Sequence, residues 1–145
     1  MKKLFPILFI TMLVGCKSAK FPSTGETTYY AQNKDILIVN SVGYGYKIED
    51  AKTYAQKQAL NNLIYNGVAN SNYKNPMVDY QQIDKIKPNL DKYINTNYLQ
   101  FIQNTSLISN TKNKKVYTQL YRIEINTLSL RDAMEREGFV RKFGF

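Results

Sequence analysis

Few side chains in this sequence can do chemistry. There is no histidine and a single cysteine, Cys16. Without histidine, nucleophile–histidine triads and histidine metal sites are excluded. Carboxylates remain. Glu49 and Asp50 are adjacent, but successive helix residues do not face one point, so they read as charge at a helix start, where it complements the dipole. Asp132, Glu135 and Glu137 alternate with Arg131 and Arg136 and read as a solvated helix face. Gly43-Tyr44-Gly45-Tyr46 follows an apolar run and opens a helical pattern, the context of a phosphate-binding loop. It lacks the third glycine of the dinucleotide pattern and the lysine–serine/threonine of the P-loop, so a turn that needs glycine explains it better. The expectation is a protein that is not an enzyme and holds no metal or cofactor. Tyr44 and Tyr46 keep binding chemistry: paired tyrosines at a strand end can stack on a sugar or a peptide, or cap a core. They are the candidate ligand or partner contacts.

The elements that must position these tyrosines are a strand and a helix. Ile36 to Val42 opens with four consecutive apolar residues and reads as a strand that is central or covered on both faces. Gly43 and Gly45 read as the turn that follows. A helix is expected from Glu49 to Tyr65, with Ala51, Ala55, Ala59 and Leu63 four apart, Leu60 and Ile64 beside them, and Gly67 as its stop. Small residues on one face let a helix approach a sheet closely. Val68 to Asn97 reads as a loop, then short helices over 78–86 and 89–94 with Pro88 between them. Tyr98 to Ser109 and Lys115 to Asn126 read as antiparallel strands joined by a polar turn. In the second strand Tyr117, Tyr121, Ile123 and Ile125 share one face, and Arg122 and Glu124 the other. Ser129-Leu130-Arg131-Asp132 fits a capping box for a helix over 130–137. The predicted class is α+β: a single domain, its sheet rich in antiparallel pairing, with one long alanine-striped helix packed on it and a short C-terminal helix. A chain of 145 residues allows one such domain.

The first residues stand apart from that fold. Lys2 and Lys3 precede an apolar run, Leu4 to Val14, too short to span a bilayer comfortably. Leu13-Val14-Gly15-Cys16 closes it. This resembles a bacterial lipoprotein signal peptide. The resemblance implies cleavage before Cys16, a diacylglyceryl group on its thiol and an acyl chain on the new amine. The alternatives are a plain secretory leader with an incidental cysteine, or a buried structural cysteine. If Cys16 carries lipid, no thiol remains for a disulfide, a metal or catalysis. The expected organisation is a cleaved leader over 1–15, a lipidated tether over 16–33 rich in serine and threonine, and a globular domain over 34–145.

Removing Lys2 and Lys3 from the 20 basic residues leaves 18 against 11 acidic ones, a balance of +7. Lys17, Lys20, Lys34, Lys112, Lys114 and Lys115 fall in the tether or in turns. They read as solvated charge, or as attraction to anionic headgroups, cell-wall polymer or an acidic partner. No nucleic-acid motif is present, and no nucleic-acid partner is expected.

Cys16 in its leader, the turn from Val42 to Gly45, and Ala51, Ala55 and Ala59 after it together resemble two groups. These are the Lpp-twenty-like lipoproteins and the amino-terminal domain of the flagellar assembly protein T. The resemblance spans about residues 35–138 and implies a non-enzymatic, envelope-associated α+β module with no catalytic residues. Aspartate after the lipidated cysteine marks inner-membrane retention in many such lipoproteins, and acidic residues near it mark surface export in some. Here Lys17-Ser18-Ala19-Lys20 follows. The resemblance therefore implies a membrane anchor through Cys16 in the inner leaflet of the outer membrane, facing the periplasm. The function expected is an interaction or scaffolding module with an envelope protein or anionic cell-wall polymer as partner. The alternative is a small-ligand or glycan-binding lipoprotein with a tyrosine-lined cleft.

Overall fold

The protein is seen in a computed structural model that describes residues 26–142. Cys16, the leader and the last three residues lie outside that range. Four strands form one antiparallel sheet: β1 (Thr27–Asn33), β2 (Ile36–Gly45), β3 (Ile102–Asn113) and β4 (Val116–Asn126), in the order β1-β2-β4-β3. The helices are α1 (Ile48–Tyr65), α2 (Ile83–Asn97) and α3 (Thr127–Arg136). The fold is α+β, as the sequence predicts.

Alternation along β2 and β4 decides what covers the sheet. Leu37 and Val39 of β2 and Tyr121, Ile123 and Ile125 of β4 are buried on one face. They join Ala55, Ala59, Leu60, Leu63 and Ile64 of α1, Leu90 and Ile94 of α2, and Leu130 and Met134 of α3 in one core. Between them, Ile36, Ile38, Val42, Leu120 and Arg122 point to the other face and are half-buried. The continuous apolar run of β2 thus reflects its central place between β1 and β4.

Gly43 and Gly45 are part of β2, not a turn after it. Both sit on the helix side of the strand. A Cβ at Gly43 would lie 1.9 Å from the Ala51 carbonyl oxygen, and one at Gly45 2.5 Å from the Ala51 nitrogen. The glycines are there because backbone meets backbone, and Ala51 and Ala55 complete the close approach.

Three further expectations change. Part of the tether expected over 16–33 belongs to the fold: Thr27–Asn33 is an edge strand paired with β2, from Thr27 against Ser41 to Asn33 against Ile36. Thr27, Thr28, Tyr29 and Tyr30 favour the pleated surface, and a two-residue link, with Lys34 at φ 47°, turns β1 back into β2. A matching link joins β3 to β4, with Lys114 at φ 55°. The turn there is Lys114-Lys115, and Tyr98–Phe101 is a 3-10 turn before β3.

Second, α2 runs unbroken through Pro88. A proline inside a helix costs about 3 kcal/mol. Burying Leu90 and Ile94 beyond it returns about 3–6 kcal/mol, so the helix survives. Third, α3 starts at Thr127, where Asn126 Oδ1 accepts the Ser129 N–H at 2.9 Å. Asn126 ends β4 and is as good a cap as Ser129, so the helix starts a turn early.

Candidate functional site

Tyr44 and Tyr46 flank the last glycine of β2. The Tyr44 ring meets Tyr54 of α1 edge-on, with centroids 5.8 Å apart. Burial first, and the Tyr44 hydroxyl second, raise the Tyr54 pKa above its ordinary value. Tyr46 lies between β2 and α1 and is 50% exposed. The first tyrosine is thus engaged with the helix, while the second meets solvent.

The carboxylates take the places expected of them. Glu49 and Asp50 occupy the first turn of α1 and are exposed. Glu135 accepts from Arg131 at 2.8 Å, and Glu137 lies 3.9 Å from Arg136. Among the described residues, no group of carboxylates or other ligands could hold a metal ion, and no helix is long and apolar enough to cross a membrane.

One buried polar group was not foreseen. Gln119 pairs in register with Gly43, and its side chain is buried on the helix side of the sheet. Its Oε1 accepts from Tyr121 at 2.5 Å, and its Nε2 has no partner. Burial, then the charge of Glu49, raise the Tyr121 pKa. An orphan donor of this kind costs about 1–3 kcal/mol. The period-2 pattern of β4 places residue 119 with Tyr121 and Ile123, so the signal was in the sequence.

Of the concavities among the described residues, three are bounded by the helices. One, of about 280 Å³, lies between the last turns of α1 and the start of α2. A second, of about 320 Å³, runs along α2 beside Phe139, and a third of about 320 Å³ sits between the 3-10 turn and α3. Tyr44 and Tyr46 line none of the three.

No family model matches this chain, and no curated protein or solved structure matches it either. The geometry of the fold is what distinguishes one part of its surface from another.

That geometry sorts charge along the sheet. β2 ends at Gly45 opposite Tyr117, so the β3–β4 link and the start of α1 lie at one end. The described chain enters β1 at that same end, where Thr27 pairs with Ser41 and the Glu26 carbonyl accepts from Val42. The hairpin tip there carries Lys112, Lys114 and Lys115, all exposed, and no carboxylate. Lys112 Nζ lies 4.7 Å from the centre of the Tyr117 ring. At the other end, where α1 finishes, Lys87 Nζ lies 3.2 Å from Asp91 and 4.1 Å from the centre of the Tyr65 ring. Tyr65 donates to the same carboxylate at 2.7 Å. Burial, then that bond, then the charge of Asp91, push the Tyr65 pKa far above its ordinary value.

Proposed function

We propose that this protein is a bacterial envelope lipoprotein, anchored through Cys16 in the inner leaflet of the outer membrane, where it works as a non-catalytic interaction or scaffolding module. The observation that carries the reading is the leader that closes in Leu13-Val14-Gly15-Cys16. Several acyl chains on one residue hold far more firmly than one, at about 0.8 kcal/mol per buried methylene.

The fold supports this reading through the direction in which it would face. The segment from Cys16 to Thr27 reaches at most about 40 Å. It enters the sheet at the end that carries Lys112, Lys114 and Lys115. A lysine near an anionic surface contributes about 1 kcal/mol. Lipid headgroups or an anionic cell-wall polymer would therefore meet this end first, and the contact would weaken as salt shortens the screening length below about 8 Å.

Two measurements on cells test the proposal. Cys16→Ser should leave an uncleaved or soluble precursor. A variant that still partitions with membranes and shows the same mass as the wild type removes the anchor from the account. Protease added to intact cells should leave the domain whole, and should digest it once the outer membrane is permeabilised. Digestion without permeabilisation would put the domain on the cell surface.

A further inference from the structure

We infer that the concavity between α1 and α2 is a binding site for a neutral glycan. This goes beyond the anchoring proposal and does not depend on Cys16. The site lies at the far end of α1 from the lysine hairpin, roughly 20 Å along a helix that rises about 1.5 Å per residue.

The residue types come first. Gln58, Asn61, Asn62 and Asn66 line the concavity. Their spacing of three, four and eight puts all four amides along one flank of α1, beside the stripe of Ala55, Ala59 and Leu63 that faces the core. Each carboxamide offers two donors and one acceptor. Sugar hydroxyls, each a donor and an acceptor on adjacent carbons, match that inventory.

Asn62 and Asn66 set each other. Asn66 Nδ2 donates to Asn62 Oδ1 at 2.8 Å. The pair spends one donor and one acceptor on each other. Asn62 keeps its donors and Asn66 keeps its acceptor for a ligand.

Opposite the amides stands Tyr80, 73% exposed, with Ile83 beside it. An aromatic ring held this far out of the core presents the flat apolar surface on which the C–H face of a pyranose ring packs.

Charge chooses among sugars. Lys87 is the cation in the lining, and Asp91 at 3.2 Å neutralises it while Tyr65 holds the other oxygen of that carboxylate. The site therefore carries no net charge to attract a uronate or a phosphate. Its volume of about 280 Å³ lies just below the roughly 300–1,000 Å³ of pockets for drug-sized ligands. It suits one or two sugar rings with the rest of the polymer running out. A peptide is the poorer fit. It would need a free sheet edge or an apolar groove, and the walls here are two helices lined by amides.

The test is a titration of the ¹⁵N-labelled full-length protein, held in a detergent without a sugar headgroup, with chitotriose. The side-chain NH₂ signals of Gln58, Asn61 and Asn62 should move, with a Kd of about 1 mM. Tyr80→Ala should weaken binding about tenfold, and Tyr80→Phe should preserve it. Tyr46→Ala should leave it unchanged. Trigalacturonate, of the same length but anionic, should bind no more tightly. A spectrum unmoved at tens of millimolar chitotriose overturns the inference. So do shifts that map away from α1 and α2, unaltered binding by Tyr80→Ala, or tighter binding of trigalacturonate. If trialanine moves the same amides and chitotriose does not, the site belongs to a peptide and the glycan is wrong.

Discussion

At one end of the sheet, β2 runs under the start of α1 with Gly43 and Gly45 against the Ala51 backbone, and lysines crowd the hairpin tip. At the other, α1 finishes over α2, and Tyr65, Asp91 and Lys87 tie the two helices together. At the first end, strand backbone touches helix backbone. At the second, the backbone contacts of α1 are to the loop after it, and between α1 and α2 it is side chains that reach across a gap. This difference has consequences for what each end can do. Where backbones touch there is no room for a ligand, and the exposed groups at the hairpin tip are long cations. Where side chains bridge, a concavity is left, and its one lining cation is cancelled by a carboxylate. The molecule thus offers a positive end and a neutral, amide-lined one.

The largest blow to this contrast is Gly43→Ala. The added methyl would collide with the Ala51 carbonyl oxygen and press on Ala55. Overpacking costs about 1–3 kcal/mol and at times more, and a backbone collision belongs at the top of that range. The expected fall in Tm is about 12 °C. Ala55→Leu should act in the same direction by a smaller amount. An unchanged Tm in either would mean that α1 does not lie on β2 as described.

The corresponding substitution at the other end is Gly67→Ala. Gly67 has φ +76°, and a Cβ there would lie 2.5 Å from the Lys74 carbonyl oxygen. The left-handed conformation alone costs an L-residue about 1–2 kcal/mol. The loss should total about 2 kcal/mol, and thermal melting checks it. Amide hydrogen exchange should rise first over 68–82, the loop that carries Tyr80, and not at β2. Equal loosening of both ends would erase the contrast.

Tyr65→Phe sharpens it further. The variant loses a hydrogen bond to a carboxylate in a partly solvated site, worth about 1 kcal/mol. It should also change the response to base. The Tyr65 pKa is raised by the fold, so its stabilisation is complete below the unfolded value of about 10 and is lost as pH rises above that. Tyr54 and Tyr121, both raised by burial, act in the same sense. The urea midpoint should stay level from neutral pH to about pH 10 and then fall, and should fall less steeply in Tyr65→Phe.

The smallest effect on stability is expected at the basic end. Lys112→Gln with Lys115→Gln removes exposed charge and spares Lys114, which holds the turn at positive φ. Stability should stay within about 0.5 kcal/mol. Binding of the Cys16→Ser form to anionic vesicles should weaken about tenfold or more, at about 1 kcal/mol per lysine. Vesicle flotation at physiological salt measures it, and unchanged flotation would deny this end its role.

Elements that announce themselves locally were legible in the sequence. The alanine stripe and Gly67 bounded α1 within a residue, and the alternation of Tyr121, Ile123 and Ile125 set the buried face of β4. What depends on distant partners was not. Thr27–Asn33 looks like linker until β2 stands beside it. Pro88 looks like a helix break until Leu90 and Ile94 are seen in the core. Gly43 and Gly45 suggested a turn because the Ala51 backbone above them is invisible in one dimension. The amides of the concavity were half legible. Gln58, Asn61, Asn62 and Asn66 share a helical face that can be counted from the sequence. Tyr80 lies in an irregular loop with no period, so nothing in the sequence places it opposite them.

The central claim is the lipid anchor, because it sets which end of the domain meets the envelope. Intact mass spectrometry of the protein purified from bacterial membranes tests it most directly. The account predicts a chain that begins at Cys16 and carries a diacylglyceryl group on sulfur and an acyl chain on its amine. A mass equal to the bare polypeptide, whether it begins at Met1 or at Cys16, would contradict it.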